Sequence, residues 1–356
     1  MAAVVLDQAS VGIGGTTALH AVDLDIADGE FVAVIGPSGS GKTSLLRAIA
    51  GLAAVERGRV LIGGRDTTGV APGERDVAMV FQQGALLPRR SVRRNISFPL
   101  ELRHHPEAEI GQRVDAEVRA LHIEALLERD PAQLAVGESQ LVQIARSMVR
   151  VPRVLLLDEP FAHLDEHVRA TMRAELGVLQ RGYGVTTVMA TNDGVDAMAL
   201  AHRVVVLDRG RVIQFAAPDV VRRSPASLTA AVAAGEVSCF PAELVSDAYG
   251  DRIVRHGPSG AVEFQHPVSS DTAGGGSRAV VVAVRPHDIL FDPNGPIDAV
   301  VERHVPGAGR SISCGFAGVQ VEVAARSPFP DVGTRVRLSI RGLFVFDATT
   351  EYAVAR

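Results

Sequence analysis

The chain has 356 residues, a formal net charge of −5, 47% hydrophobic residues and 22% charged residues. This balance excludes an intrinsically disordered chain, argues against a general nucleic-acid binder with its basic excess, and at this length predicts two domains. No apolar run approaches the roughly 18 residues of a membrane span, the start MAAVVLDQAS lacks a secretory pattern, and two cysteines, Cys239 and Cys314, are too few for a disulfide framework and suggest a reducing compartment.

In chain order, VVLD and AVDLDI read as strands, and FVAVI at 31–35 is a continuous apolar run of the kind that forms a buried strand. SLLRAIAGL reads as a helix and DVAMVF at 76–81 as a further strand. From Glu107 to Arg129 apolar residues recur at helical spacing, and a helix is expected over Gly137–Arg150. VLLL at 154–157, TTVMAT at 186–191 and RVVVLD at 203–208 are further strands. Strands alternating with helices predict an α/β layer with a largely parallel sheet. Near residue 235 the pattern changes to short strand-like pieces separated by turn residues, which predicts a small barrel or sandwich, with SSDTAGGGS at 269–277 as a flexible connection.

GPSGSGKT at 36–43 has the spacing of a phosphate-binding loop, made of Gly36, Pro37, Ser38, Gly39, Ser40, Gly41, Lys42 and Thr43. Its glycines allow close backbone approach to phosphate, the Lys42 ammonium reaches the β- and γ-phosphates, and the Thr43 hydroxyl is a Mg²⁺ ligand. Only one of the 36 basic residues is a lysine, and it is Lys42. A compact ammonium and a planar guanidinium are not equivalent at such a site. The strand VLLL delivers a second piece: Asp158 to hold Mg²⁺, directly or through water, and Glu159 to orient and deprotonate an attacking water.

Together with VFQQGALLPRRSVRRNISFPL at 80–100, LAVGESQLVQIARSMVRVPRVLLLDEPFAHLD at 134–165 and TTVMATNDGVDAMALAHRVVVLDRGRVIQ at 186–214, these motifs resemble the ATP-binding subunits of ATP-binding-cassette (ABC) transporters, in the maltose-type sugar importer group. VVVAVRPHDILF resembles the small regulatory barrel appended to such subunits. The resemblance implies an ABC nucleotide-binding domain over 1–235, with a helical subdomain at about 85–150, and an all-β, OB-like barrel over 236–356. It implies that Gln82 contacts Mg²⁺ and the attacking water, and that Leu134, Ala135, Val136, Gly137 and Glu138 form a signature segment capping ATP on a partner subunit. Asp165 would communicate across the dimer. It implies ATP and Mg²⁺ as cofactors and a place at the cytoplasmic face of the membrane. The expected partners are two integral-membrane permease subunits, an extracytoplasmic solute-binding protein and a second ATP-binding subunit, either the same chain or an intact paralogue, with no nucleic acid.

Four positions depart from the family pattern. Ala135 and Val136 replace a serine and a glycine, Leu141 replaces an arginine, and Asn192 replaces the histidine that contacts the γ-phosphate. No aromatic residue stands where one would stack on adenine; the nearest residues are Val11 and Ile13. These departures predict slow turnover and raise the alternative of a hydrolysis-poor regulatory subunit paired with an intact ATPase. A carbohydrate is the first expectation for the solute; iron, sulfate, polyamine and organic-phosphate importers share the architecture. The cluster Arg89, Arg90, Arg93 and Arg94 reads either as a solvated face or as a contact with the membrane partner. The pair His104 and His105 reads as exposed, and the two cysteines as buried or inert.

Overall fold

The computed structural model describes residues 2–82, 86–247, 250–257, 260–265, 276–305, 311–324 and 329–354. Most of the expected flexible connection at 269–277 lies outside them. The chain divides into two compact units, Met1–Val220 and Val221–Arg356.

In the first unit, strands β1 (Val4–Ile13) and β2 (Thr16–Ile26) form an antiparallel pair, followed by β3 (Phe31–Ile35) and helix α1 (Lys42–Ala50). Next come β4 (Val55–Ile62), β5 (Arg65–Asp66) and β6 (Val77–Val80). Three helices, α2 (Val92–Glu101), α3 (Glu107–Ala120) and α4 (Val136–Met148), precede β7 (Val154–Asp158). Then α5 (Glu166–Tyr183), β8 (Thr186–Ala190), α6 (Gly194–Leu200), β9 (Arg203–Asp208) and β10 (Arg211–Ala216) complete the unit. One sheet runs β2-β1-β4-β5 and is antiparallel; the other runs β10-β9-β3-β8-β7-β6 and is parallel except for β10.

Every residue of β3, β7 and β8 is buried, so FVAVI and VLLL read as apolar runs rather than alternating ones, while β8 buries Thr186 and Thr187 with its apolar residues. Their core is shared with α1, whose Leu45, Leu46 and Ile49 are fully buried with Val32, Val34 and Leu156. At the C-terminal end of α1, buried Arg75 donates to Ala48 O and Ile49 O, carbonyls with no partner within the helix, and through Nε to Val70 O in the loop before β6. The helix expected over Glu107–Arg129 ends earlier. His122 turns left-handed at φ 54°, and a single tight turn at Glu124–Leu126 follows. That turn still buries Ile123 and Leu126, so the apolar spacing continues without the helix.

The second unit opens with helices α7 (Pro218–Arg223), which spans the boundary, and α8 (Leu228–Ala233). Ten strands follow: β11 (Ser238–Asp247), β12 (Gly250–Gly257), β13 (Gly260–Gln265), β14 (Gly276–Val284), β15 (Ile289–Phe291), β16 (Ile297–Val305), β17 (Ser311–Phe316), β18 (Val319–Ala324), β19 (Arg335–Ile340) and β20 (Phe344–Asp347). They form two antiparallel five-stranded sheets, β13-β12-β11-β14-β20 and β15-β19-β16-β17-β18. Phe240, Phe264 and Phe316 meet in the core, with ring centroids 5.6–6.3 Å apart. The compact unit begins before the composition shift at 235 because α8 belongs to it: Ala231 is buried with Ala283 and Phe346, and the Leu228 N–H donates to Glu351 O at 2.8 Å. Cys239 is exposed, so of the two cysteines only Cys314 is buried; burial and then Glu302 push the Cys314 thiol up to about 11.

Candidate ATP site

Sheet order assembles the site. Strand β3 lies between β9 and β8, and β7 pairs with β8 in a register that sets Asp158 beside Ala190. The segments leaving β3, β7 and β8 therefore emerge at one sheet edge, at the carboxyl ends of the strands, where α/β sheets bind ligands.

The loop after β3 can be made only with glycine at its tightest points. A Cβ at Gly36, which has φ +148°, would lie 2.0 Å from Leu207 O; one at Gly41, φ +108°, would lie 2.9 Å from Ala18 O. Gly41 precedes α1 and offers no side-chain cap, so the first N–H groups of α1, at Lys42, Thr43 and Ser44, have no intrahelical acceptor and suit an anion. Lys42 is only 7% exposed, and its ammonium donates to Gly36 O at 2.8 Å and Pro37 O at 2.9 Å. Burial lowers its proton affinity, while Glu159 and Asp158 oppose that effect. Exposed Pro37, Ser38 and Gly39 form the outer rim of the loop, and the buried Ser40 hydroxyl has no partner.

The Thr43 hydroxyl donates to Asp158 Oδ1 at 3.0 Å. Burial pushes the Asp158 carboxyl up, offset by the Thr43 hydroxyl, Arg47 and Lys42. A hydroxyl and a buried carboxylate converging beside a phosphate loop make an oxygen donor set of the kind that holds Mg²⁺. Glu159 sits in the left-handed region at φ 50°, with its N–H on Ala190 O at 2.9 Å. Its carboxylate accepts the Asn192 backbone N–H at 3.2 Å. Burial pushes Glu159 up, against the Asn192 N–H and Lys42, a state suited to a proton acceptor.

Ser38, Gly39, Gly41, Lys42, Thr43, Gln82, Glu159 and Asn192 line one cleft of about 620 Å³. The predicted signature segment and Asp165 do not. Ala135 precedes α4 and has no side-chain oxygen to cap it; only the reverse contact exists, the Ala135 N–H donating to Glu138 Oε2 at 2.9 Å. Val136 is 59% exposed, and Gly137 packs so closely on α5 that a Cβ there would lie 2.8 Å from Val168 Cγ1. The Asp165 carboxylate caps α5, accepting the Val168 N–H at 3.0 Å.

Sequence reasoning missed Thr16, Thr17 and His20, which line the same cleft from the first half of β2, and Arg209, which lines it from the β9–β10 turn. No local motif marks them; the His20 N–H on Gly210 O at 2.8 Å brings β2 and the β9–β10 turn together. Val11 is buried in the core, so it does not face the cleft. In the basic cluster, Arg90 lies 4.8 Å over Phe98 and pairs with Glu101, while Arg93 pairs with Asp115 and Glu128. His105 pairs with Glu109 at 3.2 Å.

The ABC transporter family profile matches residues 19–162. The sn-glycerol-3-phosphate import ATP-binding protein UgpC of Ruegeria sp. (strain TM1040) is 37% identical over 365 residues, covering 100% of both chains. The protein of the same name from Bordetella pertussis is 39% identical over 282 residues, covering 79% of this chain and 77% of that one. Among solved structures, cbiO1 of Clostridium perfringens, part of the ABC transporter complex cbiONQ, aligns with TM-score 0.58 and 29% identity, covering 62% of this chain and 90% of that one. The ATP-binding cassette MJ0796, in a dimeric post-hydrolysis state bound to ADP and Pi, aligns with TM-score 0.55 and 29% identity over 60% of this chain and 98% of that one. With a phosphate loop, a buried acidic strand end and a whole-length match, this chain belongs to the ABC transporter family, among its ATP-binding import subunits.

Proposed function

We propose that the chain binds MgATP in the cleft, hydrolyses it, and uses closure and opening of a two-subunit assembly to drive solute uptake. The observation that carries this reading is the 3.0 Å bond between the Thr43 hydroxyl and Asp158, beside the buried Lys42 ammonium. Lys42 and the N-terminal N–H groups of α1 hold the β- and γ-phosphates. Thr43, Asp158 and Gln82 are the residues to hold Mg²⁺, which supplies charge neutralisation on the phosphate oxygens. Glu159 orients the attacking water and accepts its proton, and the Asn192 amide donates to the γ-phosphate.

The segment 134–138 closes over ATP bound to a second ATP-binding subunit, and Asp165 links the two sites. Two membrane permease subunits and an external solute-binding protein complete the importer, with this chain at the cytoplasmic face; no helix among the described residues is long and apolar enough to cross a membrane. The relatives, import ATP-binding proteins for sn-glycerol 3-phosphate, support a small phosphorylated polyol of that class as the solute, which falls under the organic-phosphate alternative to a sugar.

The reading is tested by phosphate release from MgATP with and without Glu159→Gln. A loss of release in the variant, with MgATP binding kept, supports it. A second reading, a subunit that closes on ATP but hydrolyses it poorly, is favoured by the missing hydroxyl at Ala135. Equally slow release from wild type and variant establishes that one instead.

A further inference from the structure

We infer that Arg169 is a positioning residue of the ATP site, tying the first turn of α5 to the loop 191–193 and so holding the Asn192 backbone N–H against the Glu159 carboxylate. The inference rests on the role proposed above for Glu159. Arg169 is 21% exposed, and its guanidinium forms an ion pair with Asp193. The same group lies 3.9 Å from Asp196, and its second amino nitrogen donates to Phe161 O at 3.4 Å. One planar fork thus reaches both the segment leaving Glu159 and the segment carrying Asn192, a span that a lysine ammonium does not reproduce.

The loop it grips is otherwise held at few points. The Thr191 N–H donates to Val34 O at 3.0 Å, and the Asp193 N–H donates to the Thr191 hydroxyl at 3.1 Å. Asp193 also caps α6, accepting the Val195 N–H at 2.8 Å. Asp196, 1% exposed, is taken by Arg173 at 2.8 Å, which also pairs with Glu166 at 2.9 Å. Two arginines one helical turn apart on α5 therefore divide the work: Arg173 satisfies the buried carboxylate of α6, and Arg169 holds the loop. Because α5 starts at the residue after Asp165, a shift in its first turn is passed by Arg169 to Asn192 and thence to the partner of Glu159.

The test uses the full-length chain with MgATP and the variants Arg169→Met, Arg169→Lys, Asp193→Asn and Arg169→Met/Asp193→Asn, with Glu159→Gln as reference. Asparagine caps a helix about as well as aspartate, so Asp193→Asn removes the ion pair and leaves α6 capped, and it serves alone if Arg169→Met does not fold. The expected result is a fall in kcat of about ten- to a hundredfold in both Arg169→Met and Asp193→Asn, with MgATP affinity within about twofold of wild type. The double variant falls no further than the worse single, and Arg169→Lys recovers part of the loss. Amide exchange at 191–193 quickens in Arg169→Met. Wild-type kcat in both Arg169→Met and Asp193→Asn, a double variant that multiplies the two losses, or unchanged exchange at Asn192 overturns the inference. A Glu159→Gln variant as active as wild type instead refutes the role of Glu159, and the exchange measurement still decides whether Arg169 holds the loop.

Discussion

Replacing Asn192 by histidine should raise turnover. Asn192 is exposed at the cleft, and its side-chain amide makes no hydrogen bond among the described residues; only its backbone is engaged, with Glu159. The exchange therefore breaks no contact, and the cost to the fold stays within about 0.5 kcal/mol. A neutral hydrogen bond contributes about 1 kcal/mol and a charge-assisted one about 1.5–3 kcal/mol. If residue 192 contacts the γ-phosphate more strongly in the transition state, the gain is about 0.5–2 kcal/mol, or roughly two- to thirtyfold in kcat. The imidazolium supplies the charge, so the gain is larger at about pH 6.5 than at about pH 8.5. The assay is phosphate release at saturating MgATP, comparing variant and wild type at both pH values. Equal kcat at both, with MgATP affinity unchanged, refutes the placement of residue 192 on the transferring phosphate.

Ala135→Ser supplies the missing cap of α4 and stabilises the first unit by about 1 kcal/mol, read as a rise in melting temperature of about 2–4 °C; with a second subunit present it also raises kcat. Gly36→Ala places a methyl 2.0 Å from Leu207 O, so MgATP binding is lost or the chain fails to fold, as equilibrium binding and circular dichroism will report. Lys42→Arg forces a fork into a site where a compact ammonium bonds two loop carbonyls, and MgATP affinity in a binding titration falls. Burial holds the Glu117 carboxyl above its ordinary value, against the hydrogen bond from Tyr183, which donates to Glu117 Oε1 at 2.7 Å. A carboxyl raised in the folded state contributes stability below its unfolded value, and that contribution is lost as pH rises through the folded value. Glu117→Gln keeps the acceptor for Tyr183 without the buried charge, so it is more stable than wild type in denaturant titrations at about pH 8 and gains less at about pH 4.

Part of the fold was legible because its signals are local. FVAVI and VLLL became β3 and β7, fully buried in the parallel sheet. The alternation in IDAVVERHV became β16, with Ile297, Ala299 and Val301 buried and Asp298 and Glu302 exposed. Other elements carried no such signal. Strand β4, VERGRVLI, exposes most of its first half and is made by pairing with β1. Helix α2 contains Pro99, which argues against a helix from propensity alone, yet Val92, Ile96 and Leu100 are fully buried. RVRLSIRGLFVF reads as one strand-like piece but holds two strands, β19 and β20, in different sheets.

By itself the sequence carries the glycine-rich loop and the acidic strand end, because each pattern lies within a few consecutive residues whose backbone conformation is local. It also determined the departures at Ala135, Val136 and Asn192, which are matters of side-chain identity. Only the tertiary structure decided which groups meet: Thr43 with Asp158 across 115 positions, the Asn192 N–H with Glu159 across 33, and Arg169 with Asp193 across 24. It also brought His20 and Arg209 to the cleft that Lys42 lines. Those distances follow from strand order and register, with β3 set between β9 and β8 and β7 paired to β8. Strand order is a property of the whole sheet's packing, and no window of neighbouring residues contains it.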